Sequence, residues 1–214
     1  MKLKPDHIIY AVPDLETGMD TIEALLGERP IFGGQHLGKG SHNALLSLGE
    51  GVYLEVIASD PTQPEPAAAR SFGLDRLTEA RLATWAARTT DIEATIRQAR
   101  AAGYDPGDLV AGGRTRDDGL RLSWQSTSRP EAARGETPPG DWLIPFVIDW
   151  GDTPHPAATT PGQSRLVALQ ATHPDPAAVQ AMLQALGLEL VVEPGDKPAL
   201  IATIDSPNGR VVLQ

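Results

Sequence analysis

Three segments of this chain share the same helix borders, and that repetition limits the possible fold more than any other feature. Each begins at an aspartate and ends at a glycine: Asp14 to Gly27, Asp91 to Gly103 and Asp175 to Gly187, separations of 13 (27 − 14), 12 (103 − 91) and 12 (187 − 175) residues. An aspartate carboxylate accepts hydrogen bonds from the unpaired amide N–H groups of a first turn, and glycine enters the left-handed conformation that ends a helix. Between the borders, apolar residues recur at helical spacing: Leu15, Met19, Ile22 and Leu26; Ile92, Ile96 and Ala99; Val179, Met182 and Leu186. Pro176 takes the first helical position of the third, where a missing N–H costs nothing.

Strand-length apolar runs surround each helix in the same order. Residues 7–12, 82–89 and 166–172 precede the three helices. Runs at 29–32, 43–48 and 52–57 follow the first, at 109–115, 120–125 and 143–150 the second, and at 188–192, 200–204 and 210–213 the third. Gly49-Glu50-Gly51, Asp118-Gly119 and Asn208-Gly209 fall between runs, where hairpin turns need residues that tolerate positive φ. The chain therefore reads β-α-β-β-β three times, with caps 77 (91 − 14) and 84 (175 − 91) residues apart. Polar, proline-bearing stretches at 60–66 and 152–163 join the units, and 129–141 is inserted in the second, with the composition of a lid or an edge cover. The expected organisation is α+β: two paired modules, 1–60 and 80–150, making up residues 1–150, and a third at 164–214 packed on them.

Charge and composition narrow the partners. With 28 acidic against 18 basic residues, a formal net charge of −10 argues against a nucleic-acid backbone as partner. The absence of cysteine excludes disulfides and thiolate chemistry. No stretch approaches the roughly 20 apolar residues of a membrane span, and the N-terminus has no signal-peptide core, so a cytoplasmic protein without membrane partners is expected. No Gly-x-Ser-x-Gly elbow or phosphate-cradling glycine loop occurs.

The first unit carries a family likeness. Asp6-His7-Ile8-Ile9 opens its first strand, Gly40-Ser41-His42-Asn43-Ala44-Leu45 its third, and Tyr53-Leu54-Glu55-Val56-Ile57 forms its fourth; Pro145-Phe146-Val147-Ile148-Asp149-Trp150 looks like the closing strand of the second. In order and spacing these resemble the glyoxalase-like proteins of the vicinal oxygen chelate superfamily, well over residues 5–150 and by pattern alone beyond. The resemblance implies a curved mixed sheet with helices outside and a cup for a small oxygenated molecule. It also implies a divalent metal (Fe, Mn, Ni, Co or Zn) held by the first and fourth strands of each module. A lyase, isomerase or dioxygenase would follow; the alternative is a metal-free binding or sequestering protein of the bleomycin-resistance type. Module exchange between copies is a known device of repeat-built folds, so a monomer or a homodimer is expected.

Strand parity selects the candidates. His7, Ile9 and Ala11 share one face, as do Tyr53, Glu55 and Ile57, so an imidazole and a carboxylate meet if those faces line the cup. His7, Glu55 and His42 are the candidate ligands, a two-histidine, one-carboxylate set. Without metal, Glu55 is the candidate base, with His42 beside it. The second module is poorer: Thr84 stands where His7 would, and either Asp149 or Ile148 stands for Glu55, depending on register. Ala168 takes the His7 place in the third. Arg114 and Arg116 share parity beside the Asp118-Gly119 turn and are candidates for holding a carboxylate or phosphate; pairing with Asp117 and Asp118 on an exposed hairpin is the other reading. Asp149 and Trp124 complete the candidate substrate contacts, and Trp142 is expected on a loop over the cup.

Overall fold

The structure is a computed structural model that describes residues 3–116 and 118–214. Its first module runs β1 (Lys4–Ala11), α1 (Leu15–Leu26), β2 (Ile31–His36), β3 (Ser41–Ser47) and β4 (Tyr53–Ser59). The second runs β5 (Arg81–Arg88), α2 (Ile92–Ala101), β6 (Asp108–Thr115), β7 (Arg121–Ser128), the single turn α3 (Pro130–Ala133) and β8 (Phe146–Asp149). The remainder is β9 (Arg165–His173), α4 (Pro176–Ala185), β10 (Val191–Pro194), β11 (Ala199–Ser206) and β12 (Gly209–Leu213).

The helix borders are those read from the sequence. Asp14, Asp91 and Asp175 accept hydrogen bonds from the backbone N–H groups of Thr17, Ala94 and Ala178. Gly27, Gly103 and Gly187 take positive φ of 76°, 91° and 71° just beyond the helices, a conformation a side chain disfavours. On α1, Leu15, Met19, Ile22 and Leu26 are all buried, each contributing roughly 1.5–3 kcal/mol.

The first two modules close into one eight-stranded barrel, ordered β1-β4-β3-β2-β6-β7-β8-β5. Within each, the first strand lies parallel to the last: His7 opposite Tyr53 in one, Ala86 opposite Phe146 in the other. The modules meet along two seams made within the one chain. One is the long antiparallel pairing of β1 with β5, and the other is the single bridge of Gln35 on β2 with Thr115 on β6. Ile8, Tyr10 and Val12 join the main core under the helices. Ile9 and Ala11, on the opposite face, join Ile57, Leu74 and Ala83 in a smaller interior cluster.

The third unit keeps the element order but not the topology. Its sheet runs β10-β9-β11-β12, so β9 is central, parallel to β10 and antiparallel to β11. In the barrel modules the first strand instead pairs with the fourth. Here α4 is the crossover of a simple β-α-β unit whose two strands are direct neighbours. Buried residues of this sheet and of α4, among them Val179, Leu183, Leu200 and Ile204, belong to the same core as the barrel's outer face. Asn208, in the β11–β12 turn, donates from its side chain to the carbonyl of Ala24 at 3.1 Å and so covers the end of α1. No helix among the described residues is long and apolar enough to cross a membrane.

Replacing Asp91 by alanine leaves the first-turn amides of α2 without their cap and should cost about 1 kcal/mol. Urea unfolding should show this as a lower midpoint at unchanged slope.

Candidate functional site

One end of the barrel interior opens as a cavity of about 410 Å³. Its floor is polar and comes mainly from the first module. His7 on β1 and Glu55 on β4 both line it, on neighbouring parallel strands, with His7 Nε2 3.5 Å from Glu55 Oε2. Asn43, on β3, donates from Nδ2 to Glu55 Oε1 at 2.5 Å, and its Oδ1 accepts from Nη1 of Arg114, on β6, at 3.0 Å. His36, on β2, places Nε2 3.8 Å from the same Glu55 oxygen.

Behind His7 stands a buried acid. Asp6 is 0 % exposed; Oδ1 lies 2.5 Å from His7 Nδ1, and Oδ2 accepts from His155 Nε2 at 2.8 Å and from Trp150 Nε1 at 3.2 Å. Burial pushes the Asp6 carboxyl up, but the hydrogen bonds to His155 and His7 more than offset this and hold it well below the usual carboxylate range. An ionised Asp6 only accepts, so His7 Nδ1 carries the proton and Nε2 faces the cup. Tyr53 stacks on the His7 ring, with centroids 4.6 Å apart, and burial raises its hydroxyl well above its ordinary pKa.

Small residues make room for the large ones. A Cβ on Gly33 would come within 2.1 Å of Arg114 Nη1, and one on Gly112 within 2.2 Å of Trp124 Nε1. Arg114 can cross under β2, and Trp124 can lie over its cross-strand partner Gly112, only because those side chains are missing. Trp124 and Trp150 contact one another at 5.2 Å and form one wall. Trp142, just past the 129–141 insertion and between β7 and β8, forms another with Phe72 and Phe146. Asp141 and Trp142 both have positive φ, 52° and 68°, a strained geometry for residues with side chains. The Trp142 carbonyl is fixed by the Thr84 hydroxyl at 2.7 Å, and Asp141 by His173 of β9 at 2.8 Å.

Three of the sequence candidates stand elsewhere. His42 alternates with Ser41 and Asn43, which line the cavity, and so lies on the other face of β3, against Phe32 and 3.9 Å from Asp60. Asn43 has the place assigned to it. Arg116 shares parity with Arg114, but β6 ends at Thr115 and the alternation ends with it; Arg116 pairs with Asp118 at 3.2 Å. Asp117 lies outside the described residues. Asp149 turns away and accepts from the Gly151 N–H at 2.9 Å, while Ile148 and Trp150 line the cup. Neither Asp149 nor Ile148 matches Glu55: Ile9 lies opposite Glu55 in β1–β4, and Ala86 opposite Phe146 in β5–β8, so Phe146 is the counterpart.

These placements decide how a metal would be held. Of the four positions that face each other across the barrel, two carry ligand-type side chains, His7 and Glu55, and two carry Thr84 and Phe146. Among the described residues, no group of three or more His, Asp or Glu side chains is arranged to hold a metal ion. The donor set does not fit a resident metal.

Asp6, His36, Asn43 and Phe146 are not among the residues that strand parity selects, and Tyr53, which parity places on the Glu55 face, carries no role there. Asn43 was legible in the alternation around His42. His36 was hidden because β2 runs past an irregularity between Phe32 and Gly34 that the periodicity does not cross.

Comparisons with known proteins give the family and the fold. A sequence profile described as a glyoxalase-like domain matches residues 6–187. A crystal structure of a hypothetical protein from Staphylococcus aureus superposes with a TM-score of 0.62 at 17% identity, covering 98% of this chain and 84% of that one; at this identity the likeness is one of fold. Streptomyces coelicolor methylmalonyl-CoA epimerase in complex with 2-nitronate-propionyl-CoA (TM-score 0.43, 17% identity) is covered completely by 73% of this chain. The Mycobacterium tuberculosis methylmalonyl-CoA epimerase (TM-score 0.39, 22% identity) is covered to 92% by 74% of it. No curated protein matches the chain.

His36 gives the site a pH signature. Burial drops its pKa to about 4, against an ordinary 6.5, and the nearby Glu55 carboxylate only partly restores it. Between those values the unfolded chain takes up a proton that the folded one refuses, so stability is full above 6.5 and is lost as pH falls towards 4. The loss is at most about 3 kcal/mol. Thermal melts across this window should be steeper in pH for the wild type than for His36→Gln.

Proposed function

The chain belongs to the glyoxalase-like domain family, and on that premise we propose that it is a metal-independent enzyme moving a proton on a small oxygenated molecule held in the cup. One observation carries the reading: the buried Asp6 fixes the proton of His7 on Nδ1 and leaves Nε2 facing Glu55 across 3.5 Å on the cavity floor. A proton lifted from a carbon next to a carbonyl can be taken by this pair and returned to another position of the same molecule. That is isomerase chemistry of the proton-transfer kind.

The surrounding groups suit such a step. Asn43 grips the far oxygen of Glu55, and Tyr53 and Phe146 flank the His7 ring, so both reacting groups are held in one geometry. The imidazolium formed when His7 gains a proton is stabilised by Asp6 at its back. The aromatic walls keep water down and strengthen each of these interactions. No step is assigned to a divalent ion, because Thr84 and Phe146 occupy the positions opposite His7 and Glu55.

The test is exchange in D₂O. Small enolisable carbonyl compounds are incubated with the protein, and deuterium incorporation is followed by NMR. Glu55→Gln and His7→Gln should each lower the exchange rate of an active compound by roughly a hundredfold or more. Equal rates in wild type and both variants, or no catalysed exchange with any compound, sinks the reading.

Metal dependence is checked separately by elemental analysis and by melts with added Mn(II), Ni(II), Co(II), Fe(II) and Zn(II). No bound ion and no rise in melting temperature are expected. A rise that disappears in His7→Gln or His36→Gln would return the site to metal chemistry.

A further inference from the structure

Proton transfer by His7 and Glu55 leaves one buried charged side chain of the cup unemployed. Arg114 is 5 % exposed, lies on the cavity wall and keeps its charge despite burial, which lowers its pKa. Among the described residues a single hydrogen bond serves its side chain, from Nη1 to Asn43 Oδ1. Among the described residues no carboxylate comes within ion-pair distance; Glu55 is reached only through the amide of Asn43. Among the described residues every side-chain nitrogen fully sealed from solvent has a partner, so Nε and Nη2 of Arg114, which bond none of them, are not sealed off, and Arg114 lines the cavity.

A buried guanidinium with most of its donors free is costly unless something in the cavity completes it. The fold goes to some length to place it. Gly33 gives up its side chain so that Arg114 passes beneath β2, since a Cβ there would meet Nη1 at 2.1 Å and Asn43 Oδ1 at 2.4 Å. The free edge of a planar fork matches a planar oxyanion, a carboxylate, in bidentate fashion. Glu55, one amide away, penalises a second negative charge, which disfavours a phosphate dianion. The same cavity has an aromatic wall of Trp124 and Trp150, whose ring planes meet at 55°.

We propose that Arg114 is the carboxylate-holding residue of the cup and that its ligands are small monocarboxylates with a flat, apolar body. The proposal rests on the reading of the cup as the functional site and names the class of molecule presented to His7 and Glu55. The carboxylate sits on Arg114, and Asn43 links that anchor to the proton-transferring pair.

Benzoate, benzamide and inorganic phosphate are titrated against the full chain, with tryptophan fluorescence and calorimetry as readouts. Benzoate should bind at least tenfold more tightly than the isosteric but neutral benzamide, and more tightly than phosphate. Arg114→Lys keeps the charge but not the fork, and Arg114→Met removes both; each should weaken benzoate at least tenfold and leave benzamide unchanged. Lysine provides the test if the methionine variant does not fold. Equal binding of benzoate and benzamide, preference for phosphate, no benzoate binding, or an unaltered benzoate affinity in Arg114→Lys overturns the proposal. Glu55→Gln separates the two readings: it should bind benzoate at least as tightly as wild type while losing exchange. Exchange without carboxylate preference removes this proposal alone, and carboxylate preference without exchange removes only the proton-transfer reading.

Discussion

Strand β1 is hydrogen-bonded along both edges, parallel to β4 and antiparallel to β5, and the cup takes its geometry from that double pairing. With both edges fixed, the strand can turn its side chains only two ways. Ile8 and Tyr10 go under the helices, while His7, Ile9 and Ala11 go inward. The pairing with β4 sets Glu55 beside His7, and the pairing with β5 brings the second module's Thr84 and Phe146 into the same space. A slip of one residue in β1 would send His7 into the apolar layer and Ile8 into the cup. The large apolar side chains sealed beneath the helices make such a slip far more costly than any polar contact at the site could repay.

Burying this many ionisable groups in a small barrel requires a partner for each. Asp6 is met by His7, His155 and Trp150, and Glu55 by Asn43, with His7 and His36 facing it. His36 takes the opposite course, kept neutral by its burial down to about pH 4. Among the described residues the Arg114 side chain bonds Asn43 alone, a sparser set than the others have.

Much of the fold was legible because it is local chemistry. The aspartate caps, the terminating glycines and the turn at Asn208-Gly209 depend on a few adjacent residues, and the helices formed where those residues placed them. Parity within a strand was equally local, and it brought His7 and Glu55 to one cavity. What failed was non-local. The third unit repeats the order of elements, yet β9 pairs with β10 and β11, and nothing in element order dictates which strands pair. The counterpart of Glu55 could not be found by counting along β8, since only the pairing of Ala86 with Phe146 defines it. His42 is a candidate from the sequence because it opens the strand beside β4, but the cavity is lined by its neighbours Ser41 and Asn43.

The two halves of the barrel have thus specialised in different directions from one plan. The first supplies the polar pair from β1 and β4. The second fills the matching positions with a threonine that fixes the Trp142 carbonyl and a phenylalanine that packs at 5.6 Å on the His7 ring. A symmetric barrel would concentrate charge-bearing ligands on both sides of its axis, and such a set is stable only around a cation. In this chain the positive charge is covalent: Arg114, entering from β6, stands one amide from Glu55. A guanidinium cannot be lost, exchanged or coordinated from several sides as an ion can, and its plane fixes the direction from which an oxyanion approaches. On the reading proposed above, a fixed cation on the cavity wall makes the cup a site that orients its ligand.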